Sequence, residues 1–191
     1  MVWSPMPRLK VCLGGLGLAL LAGLTAGLLV SAQNDPAMEF RLTSAAFVNN
    51  QAIPRAHSCQ GEDSSPALRW QGAPSGTRSL ALVLRDPDAP AGEFVHWVLY
   101  DLPAAVTELP SGRYISGRFP LGGFEGQNDF GNLGYGGPCP PPGRPHHYVF
   151  TLYALSAPSL GLAAGASRDE VMAAMRGKVL GQTELVGLYG R

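Results

Sequence analysis

The sequence predicts a mainly β fold, a β-sandwich with one or two peripheral helices. The chain has 191 residues, of which 46% are apolar, enough for one domain with a buried core. Its 25 glycines and 17 prolines are typical of a loop-rich β architecture rather than of a helical bundle. From Phe40 onward, short apolar runs alternate with segments of Gly, Pro, Asn and Asp, and a single helix pattern comes late.

The N-terminal segment 1–32 has the pattern of an export signal. Arg8 and Lys10 precede an apolar run over residues 11–30, and small residues lead to Ala32. We expect cleavage after Ala32, a polar linker over 33–38 and a folded domain over 39–191. The apolar run is also long enough to span a bilayer, so an uncleaved membrane anchor stays open. Either alternative places the domain outside the cytoplasm, periplasmic or secreted.

Five segments have strand patterns. The run from Ser79 to Leu84 is almost continuously apolar, as in a central strand, and the prolines at 87 and 90 prevent its continuation. Aromatic and β-branched residues mark two further buried strands. The predicted strands are 40–43, 79–84, 94–102, 147–155 and 184–189.

One helix is predicted after Ser167, whose hydroxyl can cap the helix N-terminus. Asp169 and Glu170 suit the positive end of the helix dipole, and Gly177 or Gly181 can end it. The predicted apolar stripe consists of Val171, Met172, Met175 and Val179.

The segment 110–145 is rich in glycine and proline and has no regular pattern. A long irregular stretch inside a compact domain is usually functional or disordered. Its five aromatic residues favour an ordered, functional loop.

Charge and cysteine usage exclude several function classes. Basic and acidic residues balance at 14 each without a basic patch, which argues against a nucleic-acid partner. Of three cysteines, Cys12 lies in the predicted signal, which leaves Cys59 and Cys139 as a disulfide candidate or as two free thiols. Neither cysteine has zinc-site spacing, so we expect no metal and no cofactor.

A set of polar residues lies at the ends of the predicted strands. His146 and Tyr148 are two residues apart and therefore share one strand face. His96 stands in an apolar strand and needs a polar partner, for which Asp86 is the candidate. Two imidazoles and a phenol can hold an oxyanion. The glycines around Gly137 can offer backbone N–H groups to the same anion.

Four motifs carry a resemblance to a known family. They are Asp-Pro-Asp-Ala-Pro at 86–90, Val-His-Trp-Val at 95–98, Gly-Tyr-Gly-Gly-Pro-Cys-Pro-Pro-Pro-Gly at 134–143 and His-His-Tyr-Val-Phe at 146–150. Over about residues 38–191 the chain resembles the phosphatidylethanolamine-binding proteins. It is most similar to their bacterial and archaeal branch, the Raf-kinase-inhibitor-like proteins.

The resemblance implies an antiparallel β-sandwich with a small surface pocket for phosphate-like anions. By position it places four residues in this pocket: Asp86, His96, His146 and Tyr148. It places Asp88 and Pro90 in the turn that shapes the pocket. Cys139 and Pro141 occupy loop positions where the eukaryotic members have glycine and proline. A Cys59–Cys139 bridge is expected to stiffen this side of the pocket.

We therefore expect an exported, non-enzymatic protein that binds phosphate, a phospholipid headgroup or a phosphorylated metabolite. Two alternatives stay open: a secreted protease inhibitor, and a metal-dependent or acid/base enzyme acting on a phosphoester. Neither HExxH nor GxSxG occurs in the chain. The sequence also leaves open whether the protein forms a homodimer.

Overall fold

The computed structural model describes residues 1–4, 38–114 and 116–191. The chain divides into two compact units, Met1–Asp35 and Pro36–Arg191. Apart from residues 1–4 and 38, the predicted signal or anchor and the linker lie outside the described residues. None of the helices in the described part has the length and apolar character needed to cross a bilayer.

The second unit is built from two sheets. A six-stranded sheet has the order β2-β9-β8-β4-β5-β7, and a three-stranded sheet has the order β1-β3-β6. All strand pairs described are antiparallel except β2 with β9, which is parallel. The predicted mainly β sandwich is confirmed. The strands are β1 Arg41–Ser44, β2 Gln51–Ala52, β3 Leu68–Gln71, β4 Ser79–Asp86, β5 Phe94–Pro103, β6 Glu108–Leu109, β7 Phe124–Glu125, β8 His146–Leu155 and β9 Val179–Tyr189.

The apolar run in β4 forms the centre of the large sheet, between β5 and β8. Both of its faces are covered, which explains why its pattern is continuous rather than alternating. Leu80, Leu82 and Leu84 pack in the core shared with the small sheet, while Ala81 packs with Val171 of the helix. The buried strand predicted from residues 79–84 is therefore present and continues to Asp86.

The helix α1 spans Arg168–Met175 and begins at the predicted cap. The Ser167 hydroxyl accepts from the Glu170 backbone N–H, and the Glu170 carboxylate accepts from the Ser167 N–H. Placing Val179 in the apolar stripe was wrong, because the helix ends at Met175 and Gly177 adopts a left-handed φ of 72°. Val179 instead begins β9, which is longer than the predicted strand 184–189.

The segment 110–145 is mostly irregular and is held by buried aromatic side chains. Phe119 and Tyr135 are buried, and Phe119 packs edge-on against Tyr114 with ring centroids 4.7 Å apart. Its one short strand, β7, pairs with β5 and places Glu125 in the interior. This segment carries one side of the candidate site.

Candidate functional site

The candidate site lies where β4, β5 and β8 meet at one edge of the large sheet. Asp86 ends β4, His96 lies near the start of β5, and His146 and Tyr148 open β8. Because β4 runs antiparallel to both neighbours, its end lies beside the beginnings of β5 and β8. The sheet therefore brings together four polar residues that are up to 62 positions apart in the sequence.

These residues line a cavity of about 150 Å³, called here the anion cavity. Seven of the nine predicted site residues lie in its lining, while Asp88 and Gly137 do not. The lining residues are Asp86, Ala89, Pro90, Phe94, His96, Phe130, Cys139, Pro140, Pro141, His146 and Tyr148.

The Asp86 carboxylate is paired with His146, not with His96 as the sequence suggested. His146 Nδ1 lies 2.8 Å from Asp86 Oδ2, and both side chains are buried. Since a carboxylate only accepts, Nδ1 of His146 carries the proton and Nε2 is left for the cavity. His96 is not available to the carboxylate through Nδ1, because the Gly136 carbonyl oxygen already occupies that nitrogen.

His96 has a backbone partner instead. Its Nδ1 donates to the Gly136 carbonyl oxygen at 2.8 Å. Burial lowers the pKa of His96 below its ordinary value, and the Gly136 carbonyl and the nearby Asp86 carboxylate oppose this only in part. The ring is therefore neutral at pH 7, and its Nε2 is an acceptor.

Tyr148 supplies a buried polar atom without a protein partner. Tyr148 Oη forms no hydrogen bond within the described part of the chain, although the Asp86 carboxylate and the Cys139 backbone are its polar neighbours. Burial, followed by the Asp86 carboxylate, raises the pKa of this hydroxyl far above its ordinary value. The hydroxyl thus keeps its proton and can donate it to a ligand. Buried polar atoms are normally paired, so an unpaired one inside a cavity suggests a ligand position.

Asp88 and Gly137, the two predicted site residues outside the cavity lining, form hydrogen bonds with residues next to the cavity. The Asp88 backbone N–H donates to Asp86 Oδ1 at 2.9 Å, which closes the turn after β4. Asp88 Oδ2 accepts from the side chain and the backbone of His147, and these bonds lower the pKa of Asp88. Gly137 N–H donates to Asp63 Oδ1 at 2.7 Å, so it is not free for an anion as the sequence suggested.

Cys59 and Cys139 form a disulfide with Cα atoms 5.5 Å apart. Cys139 lines the anion cavity, whereas Cys59 lies in the loop after β2. The bond therefore ties one side of the cavity to a segment 80 residues earlier in the chain. Reduction to two free thiols, the open alternative, would release this connection.

No sequence pattern indicated which aromatic side chains line the cavity. The Phe130 ring lies 4.7 Å from that of Phe94 and 5.3 Å from that of His96, both edge-on. Phe130 belongs to the irregular segment, where no periodicity indicates which aromatic side chain faces a site.

Glu125 is a buried carboxylate that the sequence analysis did not indicate. Its Oε2 accepts from Trp97 Nε1 at 3.2 Å, and its Oε1 has no partner among the described residues. Burial raises the pKa of this carboxyl to about 7. Among the described residues, no group of three His, Cys, Asp or Glu side chains is arranged to hold a metal ion.

Comparison with known proteins agrees with this architecture. The family model described as phosphatidylethanolamine-binding protein matches residues 43–190. The UPF0098 protein of Aquifex aeolicus is 47% identical over 153 residues, 78% of this chain and 86% of that protein. The UPF0098 protein YbcL of Escherichia coli is 36% identical over 162 residues, 80% of this chain and 88% of that protein.

Solved structures give the same result. The crystal structure of Escherichia coli YbcL, described as a new member of the mammalian family, superposes with a TM-score of 0.75 at 34% identity. The match covers 80% of this chain and 99% of that one. A homolog from Chlamydia trachomatis superposes with a TM-score of 0.72 at 35% identity, covering 80% and 97%. The chain belongs to the phosphatidylethanolamine-binding protein family.

Proposed function

We propose that this protein is an exported, non-enzymatic binding protein for a phosphate-type anion held in the anion cavity. The observation that carries the proposal is the convergence of three buried side chains, His96, His146 and Tyr148, on one small space. Each histidine uses Nδ1 within the protein, and the tyrosine hydroxyl forms no hydrogen bond to any residue that the structure describes. A ligand that bonds to all three satisfies polar atoms that are costly to leave unpaired.

The protonation states determine what kind of anion suits the cavity. A neutral imidazole offers an acceptor at Nε2, whereas an anion requires donors. A hydrogen bond between Nε2 and the anion therefore needs a proton, which is carried either by the imidazole or by the ligand. Phosphate carries exchangeable protons near neutral pH, so it can donate to Nε2 while accepting from the Tyr148 hydroxyl.

The size of the cavity limits the ligand. Pockets for drug-sized molecules measure roughly 300–1,000 Å³, and the anion cavity measures about 150 Å³. It suits an inorganic anion or the phosphate end of a larger molecule. The body of a larger ligand has to lie outside it.

Export is supported by two features. Residues 1–32 have the charge, apolar run and small-residue end of a secretory signal. The Cys59–Cys139 disulfide belongs to the kind of bond that persists in oxidising compartments. Cell fractionation tests the proposal, and recovery of the protein with reduced thiols in the cytoplasm would contradict it.

The binding proposal is tested by calorimetry with inorganic phosphate and with sulfate between pH 5 and pH 8. Sulfate carries no proton in this range, so its binding reports only the protonation of the imidazoles. We expect sulfate affinity to rise as the pH falls below about 6.5, the ordinary histidine value, because the pKa of His96 is lowered. Affinities that do not change with pH would contradict proton-linked binding.

Two variants locate the site. His96→Ala is expected to abolish phosphate binding, and Tyr148→Phe to weaken it about tenfold through loss of one hydrogen bond to a charged group. Tyr153→Phe is the matched control, since Tyr153 lies on the same strand but on its opposite face. Equal affinity of Tyr148→Phe and Tyr153→Phe would place the anion elsewhere.

The protease-inhibitor and phosphoester-enzyme alternatives stay predictions. A panel of serine proteases and carboxypeptidases tests the first. Metal analysis of the purified protein together with a phosphoesterase assay tests the second.

A further inference from the structure

A second, larger cavity lies beside the anion cavity. It measures about 480 Å³, within the usual range for small-molecule sites. We call it the side groove. Its floor includes the buried residues Tyr135, Gly136 and Gly137, and its rim carries Asp63, Arg113 and Asn132.

A single layer of residues separates the two cavities. Phe130 lines both of them. Gly136 lines the side groove, and its carbonyl holds His96 on the other side. The disulfide also joins them, since Cys59 lines the groove and Cys139 lines the anion cavity. A ligand whose phosphate occupies the anion cavity can therefore extend past Phe130 toward the side groove.

The Phe130 ring between the cavities is held firmly in place. The Asn128 side-chain oxygen accepts from the backbone N–H groups of Phe130 and Asn132, both at 3.1 Å. The ring packs so closely on Gly136 that a Cβ there would lie 2.6 Å from Phe130 Cδ2. The boundary of both cavities thus exists before any ligand arrives, which reduces the entropy cost of binding.

The side groove carries two opposite charges, those of Asp63 and Arg113. Within the described ranges, neither Asp63 nor Arg113 takes part in an ion pair. Asp63 Oδ1 accepts from the Gly137 N–H, which orients the carboxylate. Arg113 is exposed at the rim. A carboxylate and a guanidinium on one groove match an ammonium and a carboxylate on one ligand.

We propose that the side groove binds the amino-acid end of a phosphoserine-type ligand whose phosphate occupies the anion cavity. Asp63 pairs with the ligand ammonium, and Arg113 pairs with its carboxylate. Four bonds of about 1.5 Å each separate the phosphorus from the carboxylate carbon. The amino-acid end therefore extends about 5 Å from the phosphorus, toward the side of the anion cavity that Phe130 shares with the groove.

The proposal excludes a phosphoserine inside a peptide, because its nitrogen and carbonyl are neutral amides. Two sources share the required chemistry: free O-phosphoserine and a phosphoserine lipid headgroup. The first is a monoester and the second a diester. The inference rests on the proposed phosphate binding in the anion cavity.

Calorimetry with a ligand series tests the proposal on the intact protein. The series is inorganic phosphate, phosphoethanolamine, O-phosphoserine and glycerophosphoserine. Exposed ion pairs add up to about 1 kcal/mol each, so we expect roughly fivefold tighter binding for each charge that gains a partner. The tighter of O-phosphoserine and glycerophosphoserine identifies the source.

Two variants test which ligand group each charged residue binds. Arg113→Ala should remove the advantage of O-phosphoserine over phosphoethanolamine and leave phosphate affinity unchanged. Asp63→Asn should remove the advantage of phosphoethanolamine over phosphate, while its side-chain oxygen still accepts from Gly137. Arg78→Ala is the control, since this exposed arginine precedes β4, at the opposite end of that strand from Asp86, and makes no ion pair among the described residues.

The outcomes separate the two proposals. If phosphate binds and the whole series binds equally, the side-groove proposal is wrong and the anion cavity stands. If Arg113→Ala behaves as Arg78→Ala does, the assignment of Arg113 is wrong. If no compound binds, inorganic phosphate included, both proposals fail together.

Discussion

Glu125 gives the sharpest test of the interior of this fold. The residue is completely buried on β7, with one carboxyl oxygen bonded to Trp97 and the other unpartnered. Burial raises its pKa from the ordinary 4.5 to about 7. The folded state therefore holds this proton more tightly than the unfolded chain does. Between the two pKa values the native state binds more protons, so the free energy of unfolding falls as the pH rises.

The magnitude follows from the two pKa values. A difference of about 2.5 pKa units at 1.36 kcal/mol per unit corresponds to about 3 kcal/mol of stability, most of which is lost between pH 5 and pH 8. Glu125→Gln replaces the carboxyl with a neutral group of the same shape. The variant should therefore gain about 2 to 3 kcal/mol relative to the wild type between pH 5 and pH 8.

Urea unfolding at both pH values measures this difference, with the disulfide intact so that two-state analysis applies. Comparing variant with wild type at each pH cancels the other titrating groups. Glu62→Gln, at an exposed position, should show no such change. A difference between Glu125→Gln and the wild type that is the same at pH 5 and pH 8 would refute a carboxyl held neutral by burial.

Two further predictions concern stability. Replacing Cys59 and Cys139 together with serine should lower the free energy of unfolding by about 4 kcal/mol, because the bond closes a loop of 80 residues in the unfolded chain; an unchanged urea midpoint would contradict a formed disulfide. Ser167→Ala should cost about 1 kcal/mol, because it removes the cap of α1 and half of its capping box; thermal unfolding measures this loss, and an unchanged Tm would show that the cap contributes nothing.

Elements with strong local patterns could be predicted from the sequence. The continuous apolar run of β4 and the aromatic run of β5 have the composition of buried strands, and both lie within one or two residues of the predicted bounds. The start of α1 was also predictable, because a capping serine followed three residues later by glutamate is a local signal. Its end was less clear, since Gly177 and Gly181 were equally suitable.

The pairing of Asp86 illustrates what local patterns leave open. The sequence places a carboxylate near two histidines, and either one satisfies the rule that a buried polar group needs a partner. In the folded chain the Gly136 carbonyl oxygen accepts from Nδ1 of His96, and the Asp86 carboxylate accepts from Nδ1 of His146. Gly136 lies in the irregular segment, 40 residues from His96, so no short window of sequence contains this choice.

By itself, the sequence determined the β-sandwich class, the order of the main strands and the shared face of His146 and Tyr148. Only the tertiary structure decided which ring nitrogens are free, that Phe130 stands between two cavities, and that Asp63 and Arg113 lie on one groove. The physical reason is range: strand and helix patterns come from neighbours along the chain. The sites form from contacts between segments tens of residues apart, which exist only after the sheets have packed.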